Sequence, residues 1–129
     1  MIVLDSCGWI DIFTAGPRVK QIRKWVDEAD VVLVPAVVIY EVYKIIRRQR
    51  TQVEALAAVA KLREYQVVPI DERLAVEAAD LSLQYDLPMA DALIYATARL
   101  HSATLITADA HFEDMEGVEY LPAEETTRG

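Results

Sequence analysis

Cysteine is nearly absent. Cys7 stands alone, so no internal disulfide can staple the fold, and the chain suits a reducing cytosol. Long hydrophobic runs are missing too. The apolar stretch 31–40 is too short to span a bilayer. Residues 1–4 lack the basic flank of an export signal and soon meet Asp5. A cytoplasmic protein with no membrane partner is expected. Positive charge is short: the formal net charge is −8 over 129 residues, which opposes broad, sequence-independent adhesion to nucleic acid. A polyanionic substrate would therefore need a cation recruited to the site. Glycine is scarce where a nucleotide fold would want it, since Asp5-Ser6-Cys7-Gly8 offers no glycine-rich turn. Repeats and linkers are also lacking, so residues 1–129 read as one domain, with 122–129 a polar, frayed tail.

What the chain does have is an alternation of short apolar strands and amphipathic helices. Ile2-Val3-Leu4 runs straight into Asp5. A strand this apolar on both faces reads as central in a parallel sheet, whose carboxyl end is where ligands sit. Gly8 to Phe13 has near-helical apolar spacing, ended by Gly16-Pro17, and Val19, Ile22, Trp25 and Val26 mark a second helix. Its other face carries Arg18, Lys20, Arg23 and Lys24, read first as solvated. Strand 31–34 ends at Pro35 and gives way to a helix over 36–48, its core face Val38, Val42, Ile45 and Ile46. Thr51 and Glu54 form a capping box for a helix patterned by Val53, Leu56, Ala57, Ala60, Leu62 and Tyr65. Strand 67–70 carries Pro69, which suits an edge. Asp71 caps a helix patterned by Leu74, Ala75, Ala78 and Leu81, and 89–101 is apolar nearly all round, hence buried. Strands over 103–107 and 118–121 follow. The fold class is α/β: a three-layer α/β/α sandwich around a parallel sheet of four to five strands.

Four acids fall where packing does not want them. Asp5 ends the first strand, Glu41 lies on the inner side of the helix after the second, Asp91 opens the most apolar helix, and Asp109 follows the fourth strand. Each has a plain reading. Asp5 and Asp109 suit turns or N-caps, Asp91 suits a first helical turn, and Glu41 could pair with Lys44. Together they suit something sharper. Two like charges about 4 Å apart repel by about 4 kcal/mol at an effective dielectric of 20. A hard divalent cation offsets that, and oxygen-only ligands suit Mg²⁺ or Mn²⁺. Such ions activate water and brace displacement at a phosphodiester.

The ordered set of motifs resembles the PIN domain family, and within it the VapC-type ribonuclease toxins of toxin–antitoxin pairs. The residues that carry the resemblance are Ile2-Val3-Leu4-Asp5-Ser6 with Trp9-Ile10, Glu41 in Val38-Ile39-Tyr40-Glu41-Val42, the run from Asp91 to Ala98, and Leu105-Ile106-Thr107-Ala108-Asp109 with Phe112. The resemblance implies a Mg²⁺- or Mn²⁺-dependent endoribonuclease acting on RNA. It implies Asp5, Glu41, Asp91 and Asp109 as catalytic and metal-binding residues, with the Ser6 and Thr107 hydroxyls in support. It also implies a homodimer and a cognate antitoxin. Pro35-Ala36 stands where relatives often place Ser or Thr ahead of the helix bearing Glu41, and Phe112-Glu113 leaves a further acid after the fourth in doubt.

Rival functions are a non-catalytic binding module on the same fold and a Mg²⁺-dependent phosphohydrolase with an aspartyl nucleophile. The latter wants a second Asp two residues after the first, where Cys7 stands. Cys7 itself reads as a small buried filler, and His101 and His111 as structural histidines. Lys44, Arg47, Arg48 and Arg50 read as a solvated face slightly ahead of a contact with the RNA backbone.

Overall fold

The computed structural model describes residues 1–122. Five parallel strands form one sheet: β1 (Ile2–Leu4), β2 (Val32–Pro35), β3 (Gln66–Val68), β4 (Thr104–Thr107) and β5 (Val118–Tyr120). Their order across the sheet is β3-β2-β1-β4-β5. β1 is therefore the middle strand, as its unbroken apolar pattern requires. All three of its residues are buried, so both faces of the sheet are covered there. Val3 pairs with Leu33 on one side and Leu105 on the other, and the Asp5 N–H reaches the Ile106 carbonyl at 3.3 Å. This order reverses direction between β1 and β4. A crevice outside the carboxyl ends of these two strands is where an open α/β sheet accommodates a ligand.

Six helices accompany the sheet: α1 (Ser6–Thr14), α2 (Val19–Glu28), α3 (Ala36–Gln49), α4 (Gln52–Leu62), α5 (Glu72–Tyr85) and α6 (Met89–Leu100). α1 begins directly after β1. Gly8 makes that turn possible, because a Cβ there would collide with the Leu4 side chain. α6 is buried on every side from Ala92 to Ala98, as its composition predicts. Trp9, only 1% exposed, lies against Phe13 and Tyr65 and anchors α1 to the core.

Two helical faces differ from the sequence reading. α4 buries Leu62 as expected, but Val53 and Leu56 are 77% and 53% exposed and Ala57 and Ala60 are exposed too, while Ala55 and Ala58 are buried instead. The small Ala55 and Ala58 let α4 lie close against α3, and Val53 and Leu56 are left outside. The helix also ends at Leu62, short of Tyr65. On α5, Ala75 is exposed while Leu74, Ala78 and Leu81 are buried. Pro69 lies just past β3, which is an edge strand. Pro122 is exposed, and the remainder of the expected tail, 123–129, lies outside the described residues.

Thr51 caps α4 as expected, accepting from the Glu54 N–H at 3.2 Å while its hydroxyl meets the Glu54 carboxylate at 3.3 Å. Thr51→Ala should lower stability by about 1 kcal/mol, the usual loss at an N-cap. Urea unfolding should show it as a lower midpoint with an unchanged slope.

Candidate active site

Asp5 stands at the carboxyl end of β1 and is 6% exposed. One carboxylate oxygen accepts the Gly8 N–H at 2.9 Å, so Asp5 is indeed the N-cap of α1. The other accepts the Thr107 hydroxyl at 2.5 Å, across from the neighbouring strand β4. Thr107 in turn accepts the Asp109 N–H at 3.0 Å. One buried hydroxyl thus ties the first acid to the loop that carries the fourth. Asp109 also caps a single 3-10 turn, Ala110–Phe112, by accepting the His111 N–H at 2.9 Å. The plain reading is therefore observed for both: Asp5 caps α1 and Asp109 caps the 3-10 turn.

Glu41 leans over the same edge from α3, where its Oε1 accepts the Ser6 hydroxyl at 2.5 Å. The alternative partner, Lys44, instead lies over the Tyr40 ring at 5.5 Å. Pro35 gives α3 no side-chain cap, in keeping with its departure from the Ser or Thr common at that place. Asp91 occupies the first turn of α6.

The four acids are close enough to act on one another's charge. Asp91 is pushed up to about 6, first by burial and then by the charges of Asp109, Glu41 and Asp5, with His111 opposing. Asp5 is also raised, chiefly by burial, against the bonds from Thr107 and Gly8 and with Asp109 and Glu41 adding repulsion. Desolvation outweighs the helix N-terminus that would favour a charged Asp91. Among the described residues, no lysine or arginine forms an ion pair with any of the four. A cluster of repelling carboxylates, with no lysine or arginine paired to it among the described residues, is chemically suited to a hard divalent cation. The residues present fit one.

Three residues at the site differ from expectation. Cys7 is exposed, not a buried filler. Its thiol is pushed up to about 11, mainly by desolvation on its inner flank and then by Asp5, Asp109, Glu41 and Asp11. It stays protonated at neutral pH and is a poor nucleophile. Arg18, expected on a solvated face, is half-buried and shares a cavity of about 30 Å³ with Asp5, Asp11 and Thr107, its Nε buried without a hydrogen-bond partner. His111, set aside as structural, has its Nδ1 3.0 Å from Asp109 Oδ1 and groups with Asp91. The run Lys44 to Arg50 does behave as a solvated face: Lys44, Arg47, Arg48 and Arg50 are exposed, and Arg50 meets Glu54 at 3.4 Å.

Comparison with known proteins adds an independent line. A family model described as the PIN domain matches residues 2–118. A toxin–antitoxin complex from Klebsiella pneumoniae contains a chain 25% identical to this one. It superposes with a TM-score of 0.80, over 96% of this chain and 99% of that one. VapC20 of Mycobacterium tuberculosis, described as a sarcin–ricin loop cleaving toxin, is 23% identical, with a TM-score of 0.78 over 95% of this chain and 100% of that one. DNA-bound VapBC from Salmonella typhimurium is 14% identical, with a TM-score of 0.74 over 95% and 98% of the two chains. Among the curated proteins, none matches this sequence.

Proposed function

The chain belongs to the PIN domain family, and from that membership we propose that it is a Mg²⁺- or Mn²⁺-dependent endoribonuclease, the toxin of a toxin–antitoxin pair. The observation that carries the reading is the gathering of Asp5, Glu41, Asp91 and Asp109 at the β1–β4 switch point, with no lysine or arginine among the described residues paired to them. The likeness to a toxin–antitoxin complex supports a cognate antitoxin as partner, and VapC20 supports RNA as the substrate class. No helix of the described residues is long and apolar enough to cross a membrane; a cytoplasmic location belongs to the proposed toxin role. A homodimer belongs to the same reading. Met89 is 76% exposed beside an apolar groove of about 470 Å³ that also includes Ile70 and Ala79, a surface suited to a second copy.

In this mechanism Asp5, Asp91, Asp109 and Glu41 would hold the cation, which would supply Lewis-acid polarisation of the phosphoryl group and a water of lowered pKa. The chain's own residues provide placement. Thr107 holds Asp5 by its Oδ2 and the Asp109 loop by its backbone, so the two strand ends keep one spacing. Ser6 holds Glu41 by Oε1 and leaves the other carboxylate oxygen free for a ligand or for a proton from water. Asp5 to Asn preserves the N-cap, since Asn caps as well as Asp, and so removes charge with little damage to α1.

Incubation of the purified protein with mixed RNAs should give Mg²⁺- or Mn²⁺-dependent fragments that vanish with EDTA and with Asp5→Asn. Cleavage that persists in EDTA would refute the mechanism. Metal binding without cleavage of any RNA would favour a binding module on the same fold.

A further inference from the structure

The most informative unexplained group is the imidazole beside the acids. Asp91, Asp109 and His111 each offer one ligand atom, and these atoms all lie within 4.8 Å of one another. His111 is held there twice: its backbone N–H donates to Asp109 Oδ1 at 2.9 Å, and its Nδ1 lies 3.0 Å from the same oxygen. Its side chain is 75% exposed, so the ring can turn toward an ion without tearing open the core. The other histidine cannot serve. His101 Nδ1 is engaged with the Thr97 carbonyl at 2.9 Å, at the far end of α6 from Asp91.

We infer that His111 is a ligand of this centre, which is thereby a mixed carboxylate–imidazole site that takes a first-row transition dication in preference to Mg²⁺. The inference rests on the reading of Asp91 and Asp109 as metal ligands and adds the identity of the ion. Mg²⁺ wants a near-ideal octahedron of oxygens and sheds water reluctantly. An imidazole nitrogen suits later first-row ions better, and affinity for a given nitrogen–oxygen site rises from Mn²⁺ to Co²⁺. Replacing one oxygen donor by a nitrogen thus penalises Mg²⁺ relative to both.

The test uses metal alone, without RNA. Titration of the full chain with Mg²⁺, Mn²⁺ and Co²⁺, followed by calorimetry and by melting, should give affinity rising in that order. His111→Ala should weaken Mn²⁺ and Co²⁺ roughly tenfold or more, within the range seen when the surroundings of a metal ligand are removed, and leave Mg²⁺ nearly unchanged. Electron-spin-echo spectra of bound Mn²⁺ should show nitrogen modulation that disappears in His111→Ala and His111→Asp. Metal-free melting of the variants checks that they fold. Equal affinities for the three ions, or nitrogen modulation surviving in both variants, would overturn the inference while leaving the carboxylate site intact. If Asp91→Asn binds all three ions as the wild type does, or the wild type binds none, the carboxylate reading fails as well. Neither result depends on whether RNA is cut.

Discussion

Asp91→Asn is expected to make the metal-free protein more stable at neutral pH while removing its ability to cleave RNA. Asp91 is pushed from an ordinary 3.8 up to about 6 by burial and by three neighbouring carboxylates. At pH 7 it is ionised in the native state at a cost the unfolded chain does not bear. Asn has nearly the same shape and no charge. Two pKa units would correspond to about 3 kcal/mol if the group were fully enclosed, but it is half-exposed, and solvent screening reduces the expected gain to about 1 kcal/mol. Metal reverses the comparison. An ion at a hundred times its dissociation constant stabilises the wild type by about 2.7 kcal/mol, and the variant has lost a ligand. Melting curves in EDTA should place the variant above the wild type, and curves in Mn²⁺ should place it below. Cleavage should fall by at least about a hundredfold, the lower end of what losing one preorganised charge-stabilising group costs. A variant less stable than the wild type in EDTA would show that Asp91 is held by something other than a cation.

Metal stabilisation should also fade as the pH falls through 6. The sign follows from the direction of the shift. Asp91 and Asp5 are raised in the folded state. Without metal, the contribution of Asp91 to stability is fully present below 3.8 and is lost as the pH rises through about 6. With metal, the ion competes for the same carboxylate with the proton. Each pH unit below the folded pKa then lowers apparent affinity by about tenfold for one displaced proton. Melting at pH 7.5 and at pH 5, at one sub-saturating Mn²⁺ concentration, should show a large shift in the first and little in the second. The same metal-induced shift at both values would mean that Asp91 is not a ligand.

The strands and the buried helix were legible because their signals are local. β1 is apolar on both faces, and α6 is apolar all round, so neither has an alternative solvent-facing arrangement. Caps were legible for the same reason: Thr51 and Asp71 each reach an N–H only three residues on. The outer face of α4 was not. Val53, Leu56 and Ala57 fit helical spacing as well as Ala55 and Ala58 do, and the choice belongs to the packing against α3, which buries those two alanines beside the expected Leu62. Cys7, in the first turn of α1, and Arg18, at the start of α2, differ from expectation because their exposure depends on how these helix starts lie over the end of the sheet, not on the residues beside them in sequence.

For the site, residue type and position along the strands and helices were enough to single out Asp5, Glu41, Asp91 and Asp109, since a charge at the end of an apolar segment is conspicuous wherever the chain goes next. Their convergence depended on the order β3-β2-β1-β4-β5, which puts the ends of β1 and β4 side by side and opens a crevice between them. Only the folded chain could decide that, and with it the partners of each acid: Ser6 for Glu41, Thr107 for Asp5, and His111 for Asp109. Periodicity along a chain records which side chains avoid water. Which distant ones then meet is decided by strand order and helix packing, where many arrangements bury the same apolar surface and only one brings these groups within bonding reach.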